Sequence, residues 1–184
     1  MLRLNSTSPR RILILDMIKA KICFAVAAAV IVLDQLTKHL ISANLPLYEK
    51  LPVLPFLNIV HLQNSGAAFG MMNALDGGLR LLFFSAVLIA AVVVIVYFLT
   101  TADEGDRLLI VSLSMVLGGA VGNSIDRFRF GYVTDFLDLH WFGHPGLHWA
   151  AFNLADTAIT VGVVLVLFHS FLAGRHKRDV HGNN

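Results

Sequence analysis

Charge is what this sequence has least of. Asp, Glu, Lys and Arg together make up 14% of its 184 residues, against about 25% in a soluble globular domain. The net charge is only +2 and most basic residues gather at the two ends, so no face is basic enough to hold a nucleic acid. A single cysteine, Cys23, excludes an internal disulfide. It lies early in the first apolar run, where a small core filler is the ordinary reading and a nucleophile the alternative. Internal repeats are absent. The one biased tract is the polar tail His176–Asn184, which is expected to be disordered.

What is present instead is apolar. Hydrophobic residues make up 57% of the chain and its mean hydropathy is +0.72, the composition of an integral membrane protein. Four spans are expected: Ala20–Ile41, Leu79–Leu99, Leu108 to about Ile125, and Phe152–Leu172, each near the roughly 20 residues a bilayer needs. Arg3, Arg10, Arg11, Lys19 and Lys21 ahead of the run Ile22–Leu33 have the form of a signal peptide. Apolar character resumes beyond Asp34 at Leu36, Leu40 and Ile41, and no small-residue cleavage site closes the run, so a span is the better reading. Arg175, Lys177 and Arg178 follow the last span. The positive-inside rule then places both termini in the cytoplasm, and the acidic turn Asp103–Arg107 weighs little against it.

Two segments would face outward, about 42–78 and about 128–151. The first carries Pro46, Pro52 and Pro55 and a β-rich stretch, Asn58–Gln63, which predicts a short strand in a small sheet resting on the membrane. It ends in Asn64-Ser65-Gly66-Ala67-Ala68-Phe69-Gly70, either a plain turn or a place of close backbone approach.

Polar residues inside the spans are the informative ones, since each is costly in hydrocarbon. Asp34 and Lys38 stand at i and i+4, either as a local surface pair or with Asp34 facing the bundle. In the third span Gly118 and Gly122 form a small-xxx-small face. Asn123, Asp126 and Arg127 follow on one helix face. The latter two are ordinary at an interface, whereas Asn123 points into the bundle, where it can hold a substrate backbone or orient a carboxylate.

His140, His144 and His148 have a spacing that metal sites use. Gly143, Pro145 and Gly146 break any helix there and Trp141 and Trp149 mark an interfacial belt, so these are read as interfacial histidines with no metal. Ser65 and Ser124 lack an activating base tied to them; Lys38 and Lys50 are the outer lysines. Asp135 and Asp156 remain. The dipole of the last span favours negative charge at its first turn, while burial favours the protonated acid. Two carboxyls there are expected to share a proton, which is equipment for hydrolysis. A small proton-coupled transporter component also needs carboxylates in its spans, but here they cluster at one face and no chain of them crosses the bilayer. A lipid-binding module without catalysis is the third class.

Asp34 with Thr37-Lys38, Asn64-x-Gly66-Ala67-Ala68-Phe69, Gly122-Asn123-x-x-Asp126-Arg127, Val133-x-Asp135-Phe136 and Phe152-Asn153-x-Ala155-Asp156 together resemble the bacterial lipoprotein signal peptidases, the signal peptidase II family. The five blocks run in order from about residue 20 to 172; the leader and the His-rich turn lie outside them. The resemblance implies a membrane all-α fold with a little β: four transmembrane helices, a small external β-cradle and a short external helix or loop. It implies a peptidase domain at 20–172 between a cytoplasmic polar leader, 1–19, and a cytoplasmic tail, 173–184, in the bacterial inner membrane with its active site at the outer face. The implied activity is an intramembrane aspartic endopeptidase that cuts prolipoproteins before a diacylglyceryl cysteine, as a monomer among membrane lipid, without metal or organic cofactor. By motif position Asp135 and Asp156 are the catalytic pair. Asn64, Gly66, Asn123, Arg127 and Asn153 bind substrate or globomycin, and Asp34 supports the site.

Overall fold

The structure is a computed structural model describing residues 9–66, 76–102, 106–140 and 149–181. Ala67–Gly70 of the small-residue stretch, and Trp141, His144 and His148 of the His-rich turn, lie outside them. In chain order the elements are α1 (Pro9–Asn44), β1 (Lys50–Leu54), β2 (Leu57–Asn64), α2 (Gly77–Thr101), α3 (Arg107–Phe130), β3 (Val133–Leu139) and α4 (Leu154–His181). Three of them, Gly77–Thr101, Arg107–Phe130 and Leu154–Ala173, are long and apolar enough to cross a membrane. The segment expected to be the first span folds as part of α1, whose 36 residues also take in most of the polar leader. Residues beyond His176, expected to be disordered, continue α4 as helix to His181.

α3 is the centre of the bundle. It packs on α1 and α4 because three of its glycines leave room for a neighbouring helix. A Cβ on Gly118 would stand 2.8 Å from Val30 Cβ and 2.9 Å from the Ala27 carbonyl of α1. One on Gly119 would run into the Ala155 carbonyl of α4, and one on Gly122 would lie 2.8 Å from Asp34 Oδ2. The small-residue face read from the sequence is therefore used twice, toward α1 and toward α4. α2, by contrast, buries little more than Ile95 and turns Leu82, Ile89, Val93 and Tyr97 outward, the composition of a lipid-facing helix.

Contacts between helix ends fix their directions. Lys19 Nζ, early in α1, donates to the Ala102 carbonyl at the end of α2 over 2.7 Å. Asp34, late in α1, accepts from the Ala155 N–H at the start of α4 over 2.9 Å. The four helices thus alternate in direction, with the start of α1 and the end of α2 at one pole and the end of α1 and the start of α4 at the other.

At that second pole lies an antiparallel sheet in the order β1-β2-β3. The strand expected within Asn58–Gln63 is β2; β3 is a strand that sequence reading left as loop. It unites the two outward segments, with Leu62 paired to Asp135 and Asn64 to Val133. β1 is exposed throughout and presents Leu51, Val53 and Leu54. The His61 ring lies 2.8 Å from the Leu45 carbonyl and ties the sheet to the end of α1.

Candidate active site

Strand alternation carries Asn64 and Asp135 to one face of the sheet as diagonal neighbours across the β2–β3 pair. Asn64 Nδ2 donates to Asp135 Oδ2 over 3.0 Å, and Asn64 Oδ1 in turn accepts from the Gly66 N–H over 3.2 Å. β3 is also bonded on its far side. The Phe152 carbonyl accepts from the Phe136 and Leu137 N–H groups at 3.0 and 2.8 Å, and the Phe152 N–H donates to the Leu137 carbonyl at 3.0 Å. These bonds set the residue after Phe152, where α4 begins, beside Asp135.

That helix start is a capping box. Asn153 Oδ1 accepts from the Asp156 N–H over 3.0 Å, and Asp156 Oδ2 accepts from the Asn153 N–H over 3.2 Å. A third N–H of the first turn, that of Ala155, is taken by Asp34 Oδ1. Three free donors at the start of α4 are therefore satisfied by side chains, and Asp156 is held in place by its own helix.

Between the two carboxylates stand two asparagines. Asn153, fully buried, donates from Nδ2 to Asp135 Oδ1 over 2.8 Å and to Asn123 Oδ1 over 3.1 Å. Asn123 donates from Nδ2 to Asp156 Oδ1 over 2.7 Å. Each carboxylate is then an acceptor on both oxygens. Burial, with the neighbouring charge of Asp156 adding to it, pushes the Asp135 carboxyl up to about 6; the hydrogen bonds from Asn64 and Asn153 and the charge of Lys38 pull the other way.

Beneath the asparagines lies a buried charged cluster. Lys38, 4% exposed, reaches Asp34 Oδ2 at 2.8 Å, Asn123 Oδ1 at 2.9 Å and Asp126 Oδ2 at 2.9 Å. Gln35 Nε2 completes it with 2.8 Å to Asp126 Oδ1 and 3.2 Å to the Gly122 carbonyl. Arg127 stands apart, its guanidinium 3.9 Å from the centre of the Phe84 ring and its Nε buried without a partner among the described residues.

Of the residues singled out in the sequence, Asp34, Asn64, Gly66, Asn123, Asp135, Asn153 and Asp156 thus come together in one connected network. The Asp34–Lys38 pair exists, and it faces the bundle rather than the surface. Sequence reading missed Gln35, and it missed Lys38 as the junction of three polar partners, hydrogen-bonded to Asp34 and Asn123 and ion-paired with Asp126. The signal was there: with Asp34 they form a polar cluster just after the apolar run Ile22–Leu33 of α1, and in a membrane such residues face partners.

Residues 26–172 match the family described as Signal peptidase (SPase) II. The lipoprotein signal peptidase of Syntrophotalea carbinolica is 42% identical over 159 residues, 85% of this chain and 96% of that protein. The one from Geobacter metallireducens is 45% identical over 145 residues, 78% of this chain and 86% of its own. Among solved structures, a bacterial membrane enzyme determined by the in meso method at 2.3 Å superposes with a TM-score of 0.73 at 33% identity, covering 84% of this chain and 90% of that one. These relatives are peptidases and lend the transporter alternative no support. The chain belongs to the signal peptidase II family.

Proposed function

We propose that this protein is an intramembrane aspartic endopeptidase that removes signal peptides from prolipoproteins, cutting before a cysteine that already carries diacylglycerol. The observation that carries this reading is the shared amide of Asn153, which donates to Asp135 and whose other end caps the helix holding Asp156. One side chain thereby sets the spacing of both carboxyls. In this reading Asp135, whose carboxyl is pushed up by burial, serves as the acid and Asp156 as the base.

In the reaction Asp156 takes a proton from a water molecule as the water oxygen attacks the scissile carbonyl. Asp135 gives its proton to the carbonyl oxygen, and collapse of the tetrahedral intermediate passes a proton to the leaving amine. No acyl-enzyme forms, and neither metal nor organic cofactor has a part. Asn64 and Gly66 on the sheet side and Asn123, Arg127 and Asn153 on the helix side bind the peptide, or globomycin in its place, while Asp34 anchors the start of α4. Two acyl chains lying along the spans would fix the substrate cysteine at interface depth, so positioning comes from lipid burial.

The same reading makes α1 the fourth span. At 1.5 Å per residue it is about 54 Å long, more than the roughly 30 Å hydrocarbon core, so its basic start projects into the cytoplasm. The sheet then rests on the outer surface of the inner membrane, its exposed β1 row of Leu51, Val53 and Leu54 against lipid. Incubation of purified protein with a diacylglyceryl-modified prolipoprotein tests the proposal. A shorter product beginning at the lipidated cysteine supports it; an intact substrate, with a known family member cleaving the same preparation, refutes it.

A further inference from the structure

No hydrogen bond joins Lys38 to Asp135 or Asp156 among the described residues, yet Lys38 is bonded to the asparagine that reaches Asp156. We propose that Lys38 is a positioning residue of the site: its ammonium dictates which way the Asn123 carboxamide faces, and so aims an N–H at Asp156. The inference rests on the peptidase reading given above.

A carboxamide has two ends of nearly equal size, one an acceptor and one a donor. The ammonium has three protons and no lone pair, so the Asn123 atom 2.9 Å from Nζ must be the oxygen. The other end is then the amine, 2.7 Å from Asp156 Oδ1. Asn153 is fixed by a second obligate donor, since the Asp156 backbone N–H can bond only to its oxygen. Its amine therefore points to Asn123 Oδ1 and Asp135 Oδ1. Two groups that can only donate, one ammonium and one backbone N–H, thus decide the polarity of both asparagines. With an apolar side chain at position 38, Asn123 Oδ1 keeps only the 3.1 Å donor from Asn153, and the carboxamide is held less firmly in the orientation that aims its amine at Asp156.

Lys38 also neutralises two buried acids, Asp34 and Asp126, and that plain charge-balancing role is the alternative to be separated. Lys38→Met alone leaves both acids unpaired and invites misfolding. Lys38→Met combined with Asp126→Asn restores the charge balance, and Gln35 still bonds to the new amide oxygen. Lys38→Gln with Asp126→Asn is the second variant, because a glutamine keeps a hydrogen bond to Asp34 without forcing an oxygen upon it. With purified proteins and diacylglyceryl-modified prolipoprotein, either is expected to lose about tenfold or more in kcat with KM within about threefold. Repeated in an Asn123→Ala background, the same change should cost less than about threefold further, because the group it acts through is gone.

Equal losses in both backgrounds, or a kcat unchanged in the first, overturn the inference. Wild-type protein that cleaves nothing overturns the proposed function itself, whereas a cleaving wild type beside unaffected variants overturns this inference alone.

Discussion

A buried carboxyl raised to about 6 has a cost at neutral pH that shows in stability as well as in rate. Asp135 holds its proton more tightly folded than unfolded, so folding is favoured when the carboxyl is protonated, and this advantage is lost as pH rises from about 4 through 6. By linkage the ionised group then destabilises the folded state by about 3 kcal/mol, an order-of-magnitude figure. Asp135→Asn removes that term but also leaves Asn64 and Asn153 competing for one oxygen, which costs about 1 kcal/mol at every pH. Denaturation followed from pH 4.5 to 7.5 should show the variant gaining on wild type as pH rises. A constant difference would mean that Asp135 is not raised.

Arg127 is a different kind of residue, its guanidinium over the Phe84 ring. Lysine in its place keeps the charge but loses the planar fork and the stacking. Arg127→Lys should weaken cleavage and globomycin affinity together. Unchanged globomycin binding with a lower Tm would make the arginine a packing residue.

Among the elements, α3 carries the densest constraint, because the glycines that seat it against α1 and α4 also bound the site. Gly122→Ala puts a Cβ 2.8 Å from Asp34 Oδ2, the oxygen that holds Lys38. Overpacking of this kind costs about 1–3 kcal/mol, and here the strain falls on the anchor of α4. Both Tm and kcat should drop, while Gly131→Ala, strained only by a φ of 78° beyond the helix end, should lower Tm and spare kcat. Equal kcat losses in the two variants would deny α3 this role.

The glycine face and the positions of the helical runs were legible in the sequence because each is a local pattern of spacing or run length, and a costly charge in or beside an apolar run is what singles out Asp135 and Asp156 as candidates. β3 was not legible. Its residues Val133–Leu139 include two aspartates and are buried on both faces of the sheet, so no alternation marks it. The capping box could have been read from Asn153-x-x-Asp156. The cluster Asp34, Gln35 and Lys38 marks a partnered polar site in the sequence, but not which partners Lys38 meets, since Asn123 and Asp126 lie far along the chain and only the α1–α3 packing brings them within reach.

For the whole molecule, the alternating helix directions put the start of α1 and the end of α4 at the pole opposite the sheet and the carboxyls. On the proposed reading, positive-inside orientation would turn the site away from the cytoplasm. In a Cys23→Ala background, a cysteine at Ser42 should react with a membrane-impermeant thiol reagent in intact cells, and one at Thr101 should react only after lysis. The reverse pattern would invert the topology.

The central claim is that Asp135 and Asp156 perform the hydrolysis and that the remaining network only holds them and the substrate. The most direct test is single-turnover cleavage of a diacylglyceryl-modified prolipoprotein by Asp135→Asn and Asp156→Asn proteins shown to be folded by a cooperative thermal unfolding transition. An amide keeps the shape and cannot exchange the proton, so each rate should fall by about 10² to 10⁴. Retention of more than about a tenth of the wild-type rate by either variant, at this expected size of acid–base terms, would contradict the account.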